Sequence, residues 1–213
     1  MTQDTNDNPL VRLIDDDELF LTSQKMLLET RGFEVAAYTS AKEFLEGDTF
    51  TRPGCIVTDV RMPGLTGLDL QKILETRRLA LPLIFLTGHG DVSMAVHTMR
   101  HGAADFLEKP VPPRVLVAAV EKAVAASLAA AREAGERKQK LGLYDTLTPR
   151  EREVVALAAL DTPNKVIAAR LGISEPTVKM HRANAFAKLE VKSVLEAYRL
   201  LTSMGIELEG DHQ

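Results

Sequence analysis

Cys55-Ile56-Val57-Thr58-Asp59-Val60-Arg61-Met62-Pro63-Gly64-Leu65-Thr66-Gly67 is the stretch that decides the fold. Apolar or β-branched residues fill the four positions before Asp59, and Met62-Pro63-Gly64 stops regular structure. The pattern predicts a buried strand that ends on a carboxylate and then turns. Thr66 and Asp69 are spaced to form a capping box on a helix that starts at Gly67 and reaches Arg77. A single strand-end Asp often does no more than hold its turn. In a parallel sheet it has a second use, because the loops at the carboxyl ends of the strands open into a crevice.

The flanking chain supplies that sheet. Leu10–Ile14 reads as a strand running into Asp15-Asp16-Asp17-Glu18, then a helix to about Arg31 with Gly32 as its stop. Glu34–Tyr38 is a second strand, and Ser40-Ala41-Lys42-Glu43 reads as a capping box on a short helix. Beyond Asp59, Pro82–Leu86 is a strand ending on Thr87. Asp91 caps a helix to about His101, and Ala103–Leu107 is a fifth strand ending on Glu108-Lys109-Pro110. Apolar strands alternating with helices predict an α/β fold: a five-stranded, doubly wound parallel sheet of flavodoxin-like order 2-1-3-4-5. In that order Asp15, Asp16 and Asp59 meet at the switch point, and Thr87 and Lys109 flank them.

Carboxylates crowded this way repel one another unless a cation sits among them. Mg²⁺ suits an all-oxygen site that keeps some of its waters. One carboxylate can then act as nucleophile toward a phosphoryl group, with the metal and the Lys109 ammonium neutralising charge and the Thr87 hydroxyl donating to an oxygen.

From Pro113 the sequence turns helical and alanine-rich. Leu116, Val117, Val120, Val124 and Leu128 form an apolar face that thins out after Ala129, which predicts a packed helix continuing as an exposed helical linker. Thr148-Pro149-Arg150-Glu151 is a strong start signal for a helix reaching about Leu160. Asn164–Leu171, stopped by Gly172, precedes a basic helix over Thr177–Leu189 and a last helix over Ser193–Met204. Two short helices around a Gly-containing turn make an all-α helix-turn-helix domain. The boundaries expected are 9–126 for the sheet domain, 127–143 for the linker and 144–206 for the helical domain, with a disordered tail from Glu207.

Composition limits the alternatives. The chain has 213 residues and a net charge of −4, with 45% hydrophobic residues and one cysteine. A lone Cys55 forms no intramolecular disulfide or cysteine-rich metal site and is expected to pack as a small hydrophobe. No apolar run reaches membrane-spanning length and Met1–Asn8 is polar, so the expectation is a cytoplasmic protein without a membrane partner. Lys165–Lys192 holds six basic residues against two acidic ones, which makes that segment a candidate for nucleic acid.

Two sets of motifs carry a family resemblance. Asp15-Asp16-Asp17, Asp59 within Asp-Val-Arg-Met-Pro, Thr87-Gly-His-Gly-Asp and Phe106-Leu-Glu-Lys109-Pro110 resemble the receiver domain of two-component response regulators. Leu147-Thr-Pro-Arg-Glu-Arg-Glu, Asn164-Lys165, Ile173-Ser and Thr177-Val-Lys-Met-His-Arg resemble the LuxR-type helix-turn-helix domain. Together they are similar to the FixJ/NarL group of transcription factors. The resemblance implies that Asp59 is the phosphoacceptor and that Asp16, Asp59 and the backbone carbonyl of Arg61 bind Mg²⁺, with Asp15 acting through water. Lys109 would pair with the phosphate, Thr87 and Phe106 would act as switch residues, and the Lys109–Pro110 bond would be cis. It also implies that Lys179, Met180 and Ala183 face DNA bases, that Arg182 lies near bases or phosphate, and that Lys165, Thr177 and Lys188 meet phosphates.

The partners implied are a sensor histidine kinase, double-stranded promoter DNA, RNA polymerase and, after phosphorylation, a second copy of the chain. Leu195, Tyr198, Leu200 and Leu201 fit either a dimer contact or plain core. An aspartyl-phosphate phosphatase of the haloacid-dehalogenase kind needs a second Asp two residues after its nucleophile, and Arg61 stands there. His89 and His101 show no ligand spacing.

Overall fold

The strand ending on Asp59 occupies the centre of the sheet. In the computed structural model, which describes residues 8–88, 98–206 and 208, five parallel strands run in the order β2-β1-β3-β4-β5. They are β1 (Leu10–Ile14), β2 (Glu34–Tyr38), β3 (Gly54–Asp59), β4 (Leu83–Thr87) and β5 (Asp105–Glu108). Helices α1 (Glu18–Thr30), α2 (Ala41–Gly47), α3 (Gly67–Thr76) and α4 (Pro113–Asp145) connect or follow them. The sheet separates two apolar cores. Val11, Leu13, Val57 and Leu86 face α1 and the first half of α4, whereas Ile14, Ile56 and Phe85 face α2 and α3. Burial on both faces accounts for the near-continuous apolar runs of β3 and β4.

The strands expected from the sequence are all present, with small shifts. β4 starts one residue later than Pro82, a residue with no N–H for a ladder. β5 is Asp105–Glu108 instead of Ala103–Leu107. Ala103 is buried against α3 and its neighbours, and the amide of Ala104 donates to the Leu83 carbonyl at 2.7 Å as a lead-in to the pairing. The Thr66/Asp69 capping box forms. The one expected at Ser40 forms only in part. Ser40 Oγ caps the Glu43 amide, but the Glu43 carboxylate turns back to the N–H and hydroxyl of Thr39. The helix expected from Asp91 falls largely on residues 89–97, outside the described residues, although residues 98–100 are helical.

Cys55 is fully buried and burial pushes its thiol up to about 12, in keeping with an inert packing role. Arg12, in the middle of β1, is also fully buried. Its guanidinium makes a forked pair with Asp48, Nε to Oδ2 at 2.6 Å and Nη2 to Oδ1 at 3.3 Å, and donates to the carbonyls of Leu10 and Arg52.

Leu128 departs from the expected apolar face of α4 and is 38% exposed. Ser127 is the buried residue instead, and its Oγ accepts the Gly54 amide at 3.0 Å. Helix α4 continues without a break to Asp145, and the chain forms two compact units, Met1–Ala131 and Arg132–Gln213.

The second unit contains the end of α4 followed by α5 (Pro149–Ala159), α6 (Asn164–Leu171), α7 (Glu175–Lys188) and α8 (Val194–Ser203). Thr148 and Glu151 close a capping box around Pro149. Gly172 ends α6 at φ +65°, where a side chain is disfavoured. Helix α7 begins two residues earlier than expected, because Ser174 is the cap and Pro176 is accommodated in the first turn. The expected tail, Glu207 and 209–213, lies outside the described residues.

Candidate functional site

Strand register assembles the acidic crevice. Ile14 pairs with Thr58, so Asp15 leaves β1 beside Asp59 at the end of β3. Thr87 pairs with Glu108, which places Lys109 just past the end of β4, and the Lys109 amide donates to the Thr87 carbonyl at 2.7 Å. The Lys109–Pro110 peptide is cis. Gly67 keeps the entry to α3 pressed against β3: its amide donates to the Val60 carbonyl at 3.0 Å, and a Cβ there would overlap the Asp59 carbonyl oxygen. The third acid of the triplet, Asp17, has a separate task as N-cap of α1.

One oxygen from each of Asp15, Asp16 and Asp59 falls within 4.8 Å of the others. Asp15 is buried, Asp59 is partly buried and Asp16 is exposed. Lys109 Nζ bridges the two inner carboxylates, 2.6 Å from Asp15 Oδ2 and 2.9 Å from Asp59 Oδ2. Burial raises the Asp15 pKa above the usual carboxylate value, against the hydrogen bonds from Lys109 and the Asp17 amide. For Lys109 burial lowers the pKa, but the hydrogen bonds to Asp15 and Asp59 outweigh it and the ammonium is held above the ordinary lysine value.

An all-oxygen donor set with one carboxylate, Asp16, exposed to solvent fits a hard divalent cation of the Mg²⁺ kind, and it fits neither a soft nor a four-coordinate metal. Arg61 is exposed, and its amide donates to Asp59 Oδ1 at 3.2 Å. Thr87 is buried. Phe106 packs on Phe85 with ring centroids 6.3 Å apart.

The helical unit presents a separate surface. Val178, Ala185 and Leu189 fix α7 in the core, which leaves Lys179, Met180 and Ala183 exposed along one face. Lys165 is exposed at the start of α6. Thr177 shares a 2.7 Å hydrogen bond with the capping Ser174. Arg182 is more restrained than the sequence suggested, since it donates to Asn164 Oδ1 at 3.2 Å and lies over the Phe186 ring.

Lys188 is directed elsewhere. Its ammonium is 2.6 Å from Glu151 Oε2 and 3.3 Å from the Thr146 carbonyl, an arrangement that ties α7 to α5 while the side chain stays partly exposed. On α8 the two readings divide by residue. Leu200 and Leu201 pack in the core, while Leu195 and Tyr198 are 56% and 42% exposed.

Two residues, Asn184 and Phe20, and one contact, that of Glu151 with Lys188, escaped the sequence reading. Asn184 is exposed on the face of α7 that carries Met180, at a spacing of four residues that would have found it. Glu151 is nearly buried at the foot of α7. Phe20 lies beneath Lys109, with Nζ 4.3 Å from its ring centroid. Glu151 was legible only as the capping-box residue of α5, and neither its contact with Lys188 nor that of Phe20 with Lys109 has a local sequence signature.

A parallel-sheet module with an acid crevice, followed by a helix-turn-helix module, defines a two-part regulator of transcription. The response regulator receiver domain family matches residues 11–121, and the luxR family of bacterial regulatory proteins matches residues 145–201. The transcriptional regulatory protein FixJ of Azorhizobium caulinodans is 41% identical over 196 residues, which cover 92% of this chain and 93% of that protein. The tetrathionate response regulatory protein TtrR of Salmonella typhimurium is 38% identical, over 91% of this chain and 92% of its own. Among solved structures, the response regulator StyR superposes with a TM-score of 0.85 at 37% identity, covering 92% of this chain and 98% of that one. The chain therefore belongs to the response regulators, in the FixJ/NarL group, with a receiver domain and a LuxR-type DNA-binding domain. Members of this family are DNA-binding regulators rather than enzymes. No helix among the described residues is long and apolar enough to cross a membrane.

Proposed function

We propose that Asp59 is the phosphoacceptor of this regulator, that a partner sensor histidine kinase supplies the phosphoryl group, and that the modified receiver dimerises and brings the helix-turn-helix domain to promoter DNA. The observation that carries the reading is the Lys109 ammonium shared by Asp15 and Asp59 in a crevice with a third carboxylate. Asp16, Asp59 and the Arg61 carbonyl would hold Mg²⁺, with Asp15 acting through water. When bound, the ion neutralises charge on the transferring group. Asp59 attacks phosphorus through one carboxylate oxygen, and the bond from phosphorus to the donor atom breaks. Lys109 then exchanges its hydrogen bond to Asp59 for one to a phosphoryl oxygen, and the Thr87 hydroxyl donates to another. Phe106 follows Thr87 as the second switch residue.

On the DNA side, Lys179, Met180 and Ala183 face bases, with Asn184 beside them. Lys165 and Thr177 meet phosphates, Arg182 braces α6 against α7, and Lys188 holds α7 in place. Residues 9–126, 127–143 and 144–206 serve as receiver, linker and DNA-binding domain. The protein works in the cytoplasm, where promoter DNA and RNA polymerase are found.

Incubation with acetyl phosphate and Mg²⁺ should place an acid-stable, base-labile label on the wild-type chain. Asp59→Asn should take up no label while keeping the wild-type circular dichroism, because it preserves shape and removes the nucleophile. Chelation of Mg²⁺ should stop labelling. Labelling of Asp59→Asn at the wild-type rate would remove Asp59 from this role.

A further inference from the structure

The acidic crevice is closed on one side by an aromatic ring. A lysine ammonium has three N–H donors, and in Lys109 two of them are taken by Asp15 and Asp59. Toward α1 the ammonium faces the ring of Phe20, with Nζ 4.3 Å from the centroid. The ring is held from both ends. The Phe20 amide donates to Asp17 Oδ1 at 3.0 Å, within the cap of α1, and the side chain packs against the apolar core that lies under that helix. Asp17 thus fixes the backbone that carries the ring, and its own amide donates to Asp15 Oδ1 at 3.0 Å.

We infer that Phe20 is a positioning residue for phosphoryl transfer, holding the Lys109 ammonium at the mouth of the crevice while leaving it free to move from carboxylate to phosphoryl oxygen. This rests on the phosphoacceptor reading of Asp59. A π face attracts a cation through its quadrupole but accepts no directed hydrogen bond that must later be broken. A carboxylate or carbonyl in the same place would compete with the phosphoryl group for the ammonium. Water there would solvate the ammonium and weaken its pull on charge developing on the transferring group. An aliphatic side chain of similar size would fill the space without the attraction.

The test compares wild type with Phe20→Leu, Phe20→Tyr and Phe20→Trp as full chains. With acetyl phosphate and Mg²⁺, Phe20→Leu should label Asp59 roughly threefold to tenfold more slowly, a range corresponding to one partly desolvated cation–π contact. Phe20→Tyr and Phe20→Trp should stay within about twofold of wild type, since both keep a ring face. The methylene protons next to Lys109 Nζ should be shifted upfield by ring current in the wild type and in both aromatic variants, and should return to ordinary lysine positions in Phe20→Leu. This nuclear magnetic resonance readout needs neither metal nor phosphodonor. Mg²⁺ affinity of Phe20→Leu should not fall, which separates a misplaced ammonium from a distorted acid cluster. Labelling of Phe20→Leu at the wild-type rate, equal losses in the Leu and Tyr variants, or unmoved Lys109 signals would each overturn the inference. A wild-type chain that takes up no label at all, with Lys109 signals ring-shifted, would instead overturn the phosphoacceptor reading and with it any role for Phe20 in transfer.

Discussion

At Glu151 one carboxylate oxygen accepts from both the Thr148 amide, at 2.8 Å, and the Lys188 ammonium, at 2.6 Å, so a helix cap and a brace on α7 depend on the same atom. The hydrogen bond from Lys188, followed by the one from the Thr148 amide, holds the carboxyl below its ordinary value. A depressed folded-state pKa contributes stability that is present above the unfolded value and lost as pH falls through the folded one. The helical unit should therefore weaken on acidification below about pH 4.5, the ordinary glutamate value. Glu151→Gln should cost about 1–2 kcal/mol at neutral pH, because Lys188 is partly exposed and solvent screens its loss. The variant should also show a flatter acid limb when the loss of α7 amide signals is followed against temperature; an unchanged acid limb would show that the pair contributes nothing. The two other lysines of interest should differ in kind. Lys179→Ala should relax preference at one base position, whereas Lys165→Ala should weaken binding to all sequences and lower the salt slope by about one. Matching sequence and salt profiles for the two variants would undo that division of labour.

Among the elements, β1 shows where local pattern suffices and where it does not. Its extent, Leu10–Ile14, could be read from composition alone, as could β2, α6 and the caps at Thr66 and Thr148. These depend on neighbours within a few residues. Arg12 does not: a charged residue in a strand interior suggests a solvent-facing position, yet it is fully buried because Asp48, 36 residues away, meets it. Phe20 under Lys109 and Glu151 under Lys188 escaped notice for the same reason, since each contact spans tens of residues. Within the acid crevice Asp15, Asp59, Thr87 and Lys109 were legible because each is the residue at or just past the end of a strand, where the parallel order alone dictates proximity. The Arg12–Asp48 pair also predicts a stability effect. Asp48 accepts from the Phe50 amide and the Tyr38 hydroxyl as well, so Asp48→Ala strands a buried guanidinium and should cost about 3–5 kcal/mol in urea unfolding. An Arg12→Met/Asp48→Leu double variant should recover much of that loss, since an apolar replacement removes the desolvation cost of both charges. A double variant no more stable than Asp48→Ala would show that the pair is needed for shape and not merely for neutrality.

For the whole molecule, the chemistry at Asp59 matters only if it changes an equilibrium that DNA can sense. A phosphate adds nearly two negative charges and three acceptor oxygens at the carboxyl edge of the sheet. Lys109 and Thr87 are the groups placed to answer them, and both lie at the ends of β4 and β5, so these strands should carry the response. β5 is an edge strand, and Phe106 on it packs against Phe85 of β4. A rearrangement there alters an outer surface without breaking the centre of the sheet. Phosphate can shift the population only by the difference in its interaction with the two arrangements of that surface. Moving a receiver from 1:99 to 99:1 requires about 5.5 kcal/mol, more than one exposed ion pair supplies and within reach of several charge-assisted hydrogen bonds made together. Phosphorylation is therefore expected to promote self-association through the face containing Phe106. Pairing two helix-turn-helix domains would then raise affinity for a promoter with two half-sites, because the second contact becomes intramolecular. Sedimentation of the full chain with and without a phosphate mimic should show wild type moving from monomer toward dimer. Thr87→Ala should bind the mimic but dimerise several-fold less, since it lacks the hydroxyl proposed to donate to the phosphoryl group. A wild type that stays monomeric with the mimic, or a Thr87→Ala chain that responds in full, would mean that the signal leaves the crevice by another route.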